Sequence, residues 1–480
     1  MLNQNAQDSI RLDEIADQAM LERGFLPEFP LEVLREVDQL KTPNPSPTRD
    51  MRGILWVSID NDDSLDLDHL TYAEKPLNGK ERIYVAIAEV NGLVEHNSAI
   101  DLYAAHNTTS VYTPTKNYPM LHPKLSTNLT SLNENAERSA IVVAMEIGSD
   151  GSFELSDIYP ARVLNHAKLS YNKVLGALEK NLALHSTEVL AQVKLQDVLA
   201  QRIQNFRDQQ GSLTFAKLEV RPIIRDGVAV ALEPAFHNRA HQLIENFMIA
   251  ANVGMTRFLE AHQQPTLRRV VQTPERWDRI VAVARELNEK LPDAPDVKAL
   301  HQFLLKRRLV DPEHFPDLSL TIIKLIGKGE YVVGVPGKPT PGHFDLALRQ
   351  YAHSTAPNRR YPDLIMQRLL KGCFGHPLPY TIEELDAIAK NCTQKEDDAN
   401  KVERRMQKSA AAMVLKSQIG QQFSAMVTGV TPQGTWVRLL NPPIEGRLMQ
   451  GYQNVDVGHR ITVQLIHADV LNGHIDFIRI

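Results

Sequence analysis

The sequence predicts an α+β protein closed by a small β-barrel, and three observations carry that reading. Strand-like and helix-like patterns alternate from about residue 50 to residue 416. Five short strand-like runs, punctuated by glycines, fill residues 417–480. Between them in importance stands the run Ile54, Leu55, Trp56, Val57, Ile59, which reads as a buried strand and ends in five aspartates within nine residues: Asp60, Asp62, Asp63, Asp66 and Asp68.

The first 49 residues read as a helical segment and linker. Ile10, Leu12, Ile15, Ala16 and Met20 recur at helical spacing, as do Leu31, Val33, Leu34, Val37 and Leu40. Gly24, Pro27 and Pro30 separate the two helices. The stretch Thr42-Pro43-Asn44-Pro45-Ser46-Pro47 reads as an extended linker. The pair is either a helix-turn-helix-like cap or a helical hairpin packed on the next domain.

Residues 50–416 form the second unit. Ile83–Ala88 and Ala140–Met145 are strand candidates, and residues 187–207 and 275–290 are amphipathic helices, so a mixed central sheet is expected. The third unit, 417–480, has strand-like runs at Phe423–Val430, Thr435–Leu440, Glu445–Leu448, Arg460–His467 and Gly473–Ile478. Within it Phe423 and Trp436 are either core or exposed stacking surfaces.

A chain of 480 residues allows two to four domains and a substantial core. No apolar run is long enough for a transmembrane helix. The start, Met1-Leu2-Asn3-Gln4-Asn5, lacks a secretory pattern. Cys373 and Cys392 fit neither a disulfide framework nor a metal spacing. A reducing, cytoplasmic setting is the expectation. The net charge of −5 counts against nucleic-acid binding. Yet Arg268-Arg269, Lys306-Arg307-Arg308, Arg359-Arg360 and Lys401-Val402-Glu403-Arg404-Arg405 are local basic runs, either lining a channel or lying on solvated helix faces.

The aspartate cluster repels itself unless cations neutralise it, and oxygen-only ligands suit a hard divalent ion. A solvated acidic turn is the plain alternative. A calcium loop is excluded in detail, because Leu65 stands where a glycine is needed and Thr71 where a glutamate is needed.

A distant segment, Tyr351-Ala352-His353-Ser354-Thr355-Ala356-Pro357-Asn358-Arg359-Arg360-Tyr361-Pro362-Asp363-Leu364, changes the balance. With Asp60-x5-Asp66-x-Asp68 it resembles the RNB domain of the ribonuclease II / ribonuclease R family. The resemblance continues, in order, through Ala86-Ile87-Ala88-Glu89-Val90, Ser110-Val111-Tyr112 with Pro119-Met120-Leu121, Leu243-Ile244-Glu245 with Met248, and Gly342-His343-Phe344. The last 64 residues resemble an S1-type OB-fold, a barrel that binds single strands by stacking and backbone contacts. The form implied lacks N-terminal cold-shock barrels.

The resemblance implies a metal-dependent 3′-to-5′ exoribonuclease acting on single-stranded RNA with a free 3′ end. Asp60, Asp66 and Asp68 would hold Mg²⁺ or Mn²⁺, with two ions in the reactive complex; paired ions in this chemistry lie about 3.5–4 Å apart. Asp68 and Arg359 would carry the chemistry, the arginine as a phosphate clamp. Tyr112 and Phe215 would stack on terminal bases, although either could be core. Glu245 would hold the terminal ribose, or be an ion-paired helix glutamate. Glu403 would lie near the reactive end, or pair with Arg404 or Lys408. Arg360 would serve structure or a neighbouring phosphate. The chain departs from the family at His69, where a fourth aspartate is usual. Imidazole is a poor Mg²⁺ ligand and a good one for Mn²⁺. The second ion is then held differently, with Asp62 or Asp63 compensating, or the metal preference shifts, or activity is reduced, down to a degenerate site that binds RNA without cutting it; the plain alternative is that His69 packs nearby and water fills the gap.

Overall fold

A computed structural model describes residues 11–41, 49–76, 79–216, 219–235 and 237–480. The expected linker at 42–47 and the N-terminal five residues lie outside these. The architecture is α+β, as the sequence predicts.

Two helices open it, α1 (Leu12–Glu22) and α2 (Leu31–Gln39). They do not stand alone. The apolar face of α1, with Leu12, Ile15, Ala16, Ala19 and Met20 buried, packs on the long helix Ile382–Leu415, and α2 packs on the helix Ala99–Asn107. The two helices thus pack into different apolar clusters, α1 with that long helix and the C-terminal barrel, α2 with the main sheet's core.

The main sheet uses β1 (Arg49–Asp50), β2 (Trp56–Asp60), β3 (His69–Glu74) and β4 (Glu81–Ala88). After α3 (Ala99–Asn107) and the small hairpin β5 (Val111–Tyr112) and β6 (Asn117–Tyr118) come the long strands β7 (Glu137–Ile147) and β8 (Phe153–Ser170). The order is β1-β8-β2-β3-β4-β7, and β7 also pairs with β8, so the sheet curls back on itself. It is mixed: β8 runs parallel to β1 and β2 and antiparallel to β7. The β2 run is buried through Ile59 because both its faces are covered, and burial fades at Asp60.

Next come α4 (Tyr171–Lys180), α5 (Thr187–Gln210), the ribbon β9 (Glu219–Arg225) and β10 (Val228–Ala235), and α6 (Arg239–Ala261). Helix α6 is the central helix, buried along most of its length; Asn238 caps its first turn through the amides of Ala240 and His241. Strand β11 (Thr266–Val270), helices α7 (Trp277–Glu286), α8 (Val297–Val310) and α9 (Phe315–Ile326), and strand β12 (Glu330–Gly334) follow. Helix α10 (Tyr361–Cys373) starts directly after the arginine pair, and α11 (Ile382–Leu415) runs 34 residues from a Thr381–Glu384 capping box.

A five-stranded closed barrel ends the chain: β13 (Gln422–Thr431), β14 (Gly434–Leu439), β15 (Glu445–Gln450), β16 (Arg460–Asp469) and β17 (His474–Arg479), in the order β13-β14-β15-β17-β16. Each predicted run coincides with one of these strands. Phe423 is half-buried against the barrel core. No helix among the described residues is long and apolar enough to cross a membrane.

Candidate active site

The acidic loop joins the end of β2 to the start of β3. Leu67, buried between two aspartates, pins it: its amide donates to Ser131 Oγ at 2.9 Å, and its carbonyl accepts from the Leu132 amide at 2.9 Å. Asp60 Oδ1 accepts from the Ser64 hydroxyl at 2.9 Å and the Asn61 amide at 2.7 Å. Asp66 Oδ2 accepts from the Tyr112 hydroxyl at 2.9 Å.

Asp68 is 2% exposed. The Asn358 amide donates to its Oδ1 at 2.9 Å, and Arg359 Nε donates to its Oδ2 at 3.2 Å, across 290 and 291 residues of chain. Burial pushes the Asp68 carboxyl up to about 7, against the opposing pull of the Arg359 guanidinium and the Asn358 amide.

The arginine turn is built as tightly. Asn252 on α6 accepts from the Ser354 amide and hydroxyl, both at 2.8 Å. Asp363, wholly buried in the first turn of α10, accepts from the Ala356 amide at 2.8 Å and from Arg360 Nη2 at 2.6 Å. Arg360 is thus fastened to the turn, whereas the Arg359 side chain remains 43% exposed. The Ser110 amide donates to the Arg359 carbonyl at 2.9 Å, which brings the tyrosine hairpin onto the same point.

Glu403 differs from the surface ion pair that its sequence neighbours suggest. Its Oε1 accepts the Tyr112 amide at 2.9 Å, and burial pushes its carboxyl up. Asp68, Asp66, Arg359, Tyr112 and Glu403 therefore form one connected group.

Other candidates stand apart from it. Glu245, on α6, lies 3.9 Å from Arg207 Nη1 and 3.5 Å from His237 Nε2, as an ion-paired helix glutamate would. Phe215 packs half-buried against the cluster that holds Trp277, Phe303 and Phe315. Asp63 pairs at the surface with Arg221 at 2.6 Å, and Asp62 is 3.5 Å from Asn172 Nδ2.

Residues beyond those read from sequence border the loop. Tyr171 stacks on His241 with ring centroids 3.7 Å apart, and both feel the charge of Asp60. The parallel pairing of Asp60 with Ser170 puts them there. The available signal was His241, four residues before Glu245 on one helix face.

His69 pairs with Ile87 in the sheet, and its Nε2 is buried without a hydrogen-bond partner. Burial pushes the imidazole down to about 4, partly opposed by Asp60. An acid limb from His69 is therefore expected near pH 4 and not near the ordinary histidine value. Among the described residues no three His, Cys, Asp or Glu side chains converge on one point. In kind, however, the donors fit a hard divalent ion: three carboxylates on one loop, with an unsatisfied imidazole nitrogen beside them.

Most basic runs are neutralised within the chain. Arg269 pairs with Glu396 at 2.9 Å, Lys306 with Glu289 at 2.6 Å, Lys401 with Asp397 at 2.9 Å, and Arg405 with Glu22 at 2.5 Å. Arg268 and Arg269 are largely buried, whereas Lys306, Lys401 and Arg405 lie on more exposed faces; the Arg359 pair is the one that meets the acidic loop.

Fold and site together define a class: a curled mixed-sheet domain with an acidic loop facing an arginine turn, joined by a long helix to a barrel. The RNB domain model matches residues 48–375, and the RNase II-type exonuclease C-terminal S1 domain matches residues 421–479. The chain belongs to the RNB-domain family. Ribonuclease R of Escherichia coli strain K12 is 30% identical over 439 residues, covering 87% of this chain and 53% of the relative. The chain spans about half the length of the curated relatives it matches. Among solved structures, the apo form of Mycoplasma genitalium RNase R superposes with a TM-score of 0.90 at 24% identity, covering 98% of this chain and 79% of that one. The same protein in complex with ribose-methylated single-stranded RNA gives 0.89 at 23% identity, with the same coverage. The RNB nuclease family is generally divalent-metal dependent.

Proposed function

We propose that this chain is a metal-dependent, hydrolytic 3′-to-5′ exoribonuclease that shortens single-stranded RNA to nucleoside 5′-monophosphates and a short residual oligonucleotide. The observation that carries the reading is the contact of Arg359 with Asp68, two residues along the acidic loop from Asp66, which accepts from Tyr112. An arginine beside buried carboxylates is what phosphodiester hydrolysis needs: cations for the phosphate, and carboxylates to hold metal.

Asp60, Asp66 and Asp68 are the residues that would hold Mg²⁺ or Mn²⁺, with two ions in the reactive complex and His69 near the second. When bound, such ions neutralise phosphate charge and activate water. Arg359 keeps Nε on Asp68, and the outer edge of its exposed guanidinium is free to grip a phosphate oxygen and offset charge developing there. Tyr112 is 38% exposed, a surface on which the terminal base stacks. Glu245 contacts the terminal ribose and Phe215 a second base, while Glu403 acts on the RNA end through the tyrosine hairpin. Arg360 supports the turn. The barrel binds the incoming strand. We place the protein in the cytoplasm, which its two free thiols support.

The test is incubation of 5′-labelled single-stranded RNA with Mg²⁺ and, separately, with Mn²⁺. A ladder shortening from a free 3′ end is expected, and a 3′-blocked RNA should resist. A strand that is bound but stays intact in both metals would make this an RNA-binding protein with a degenerate site. A ladder in Mn²⁺ alone would assign His69 to the second ion.

A further inference from the structure

The hairpin that presents Tyr112 has only two residue pairs, Val111 with Tyr118 and Tyr112 with Asn117. A two-stranded ribbon of that size has no stability of its own, so its position is set by what holds it. On the β5 side the holders are Glu403, through the Tyr112 amide, Asp66, through the Tyr112 hydroxyl, and the Arg359 carbonyl, through the Ser110 amide. On the β6 side the holder is Asp17 of α1. One carboxylate oxygen, Asp17 Oδ1, accepts from the Tyr118 hydroxyl at 2.6 Å and from Lys116 Nζ at 2.7 Å.

The surrounding structure stiffens this attachment. Lys116 Nζ also lies 4.8 Å over the Tyr118 ring and 3.7 Å from Glu28. The Tyr118 ring is 3% exposed and Val111 is fully buried, in the cluster they share with Leu12, Ile15 and Met20 of α1 and with Val402 and Met406 of α11. The turn is closed by the Thr113 amide donating to the Lys116 carbonyl at 3.1 Å. A shift of Tyr118 is therefore carried to Tyr112 by the ladder, and from Tyr112 to Asp66 by its hydroxyl.

We propose that Asp17, on a helix that precedes the matched catalytic domain, is a positioning residue for the nuclease site, fixing the hairpin so that Tyr112 meets the terminal base and holds Asp66. The proposal rests on the exoribonuclease reading for its substrate and on geometry alone for the coupling. It gives the N-terminal helices a role in the reaction besides packing.

The experiment uses the full chain and three variants. Asp17→Ala removes both bonds. Asp17→Asn keeps an acceptor for the Tyr118 hydroxyl and loses the ion pair. Asp13→Ala changes the same helix at a side chain whose partner is Arg11. Three quantities are read: the single-turnover rate at saturating RNA, quenching of a 2-aminopurine placed as the 3′-terminal base, and amide exchange across 109–118 with the barrel strands as reference. For Asp17→Ala a fall of about tenfold in rate is expected, the scale of a small misplacement of reacting groups, with overall affinity little changed. Quenching should weaken, and exchange should quicken at 109–118 but not in the barrel. Asp17→Asn should recover most of each, and Asp13→Ala should match the wild type. An Asp17→Ala protein that quenches and cleaves as the wild type does would overturn the proposal. If the wild type cuts no RNA in either metal, the nuclease reading falls; the exchange measurement then still decides the coupling, with unchanged exchange at 109–118 overturning it.

Discussion

Two sets of ion pairs, one in the acidic loop and one at the rim of the barrel's seam, lie in opposite media. At the first, Asp68 meets Arg359 with the carboxylate side chain 3% exposed. At the second, the barrel meets α9 and α11 over a shared apolar core and a largely buried pair, Arg438 with Asp317, and the ion pairs compared are those at its rim. There Lys324 on α9 faces Glu445 on β15 at 3.3 Å, with side chains 48% and 28% exposed, and Glu313 faces Arg460 at 3.3 Å, more exposed still. In the first set, removing one partner strands a charge in a poorly solvated place. In the second, water and salt replace what is removed. The difference teaches where function is brittle: buried pairing fixes a reacting geometry, and exposed pairing only adjusts how two units lean on each other.

The largest expected effect comes from Asp68→Asn. The amide keeps the shape and can still accept from the Asn358 amide, while the charge that Arg359 and a cation need is gone. The single-turnover rate should fall on the order of 10³-fold. RNA binding should persist or tighten, since one negative charge has left the site. A rate near wild type would show that the buried pair is not the reacting one.

Arg359→Ala comes next. Loss of about 2.7–4 kcal/mol of transition-state stabilisation is expected, by analogy with a removed oxyanion donor, and affinity should change much less. Arg359→Lys should recover only part, because a point charge cannot hold Asp68 and a phosphate with one planar fork. A variant that binds poorly yet cleaves normally at saturation would assign Arg359 to binding.

Much of this was readable from sequence, and the reasons for the misses are specific. The barrel strands were legible because glycines and turn residues punctuate alternating runs, and local pattern suffices there. Strand β3 was not singled out, because its first residue, His69, directly follows the acidic loop and masks the change to extended pairing. Strand β8 carries Pro160 and many polar residues over 18 positions, which hides a strand whose pairing is tertiary. Tyr171 and His241 escaped because only the β2–β8 register brings them to Asp60. Glu403 was named near the reactive end, but its partner was not legible for a similar reason: it is a backbone amide 291 residues away, hidden beside two tempting cations.

The contrast of media can also be read by proton linkage. Burial holds His353 well below the ordinary histidine value and pushes Glu396 up despite Arg269 at 2.9 Å. Below about pH 6.5 the unfolded chain protonates His353 and the folded one does not. The unfolded state then binds more protons, and stability is lost as pH falls. For Glu396 the folded state keeps its proton above the unfolded value of 4.5, so stability is lost as pH rises through that region. In denaturant titrations without added metal, His353→Gln should gain on the wild type as pH drops below 6.5. Glu396→Gln should gain as pH climbs from 4.5. The limit for one group is about 1.4 kcal/mol per pH unit. Flat differences in both variants would mean that these sites are wetter than their burial implies.

The smallest effect belongs to the exposed pairs. Glu445 also lies 3.7 Å from Lys408 on α11 and accepts from the Thr428 hydroxyl at 3.1 Å. Glu445→Gln keeps a polar side chain for Thr428 and frees two lysines. Stability should change by no more than about 1 kcal/mol, and less in high salt. Freed cations attract phosphate, so affinity for single-stranded RNA should rise modestly at low salt. Its dependence on salt should steepen by at most about 0.7 in logarithmic slope for each phosphate gained. The single-turnover rate at saturating RNA should stay at the wild-type value, because none of these pairs touches Asp68 or Arg359. A Glu445→Gln protein that lost as much rate as Arg359→Lys would join the barrel to the reacting geometry and end the distinction between the two sets.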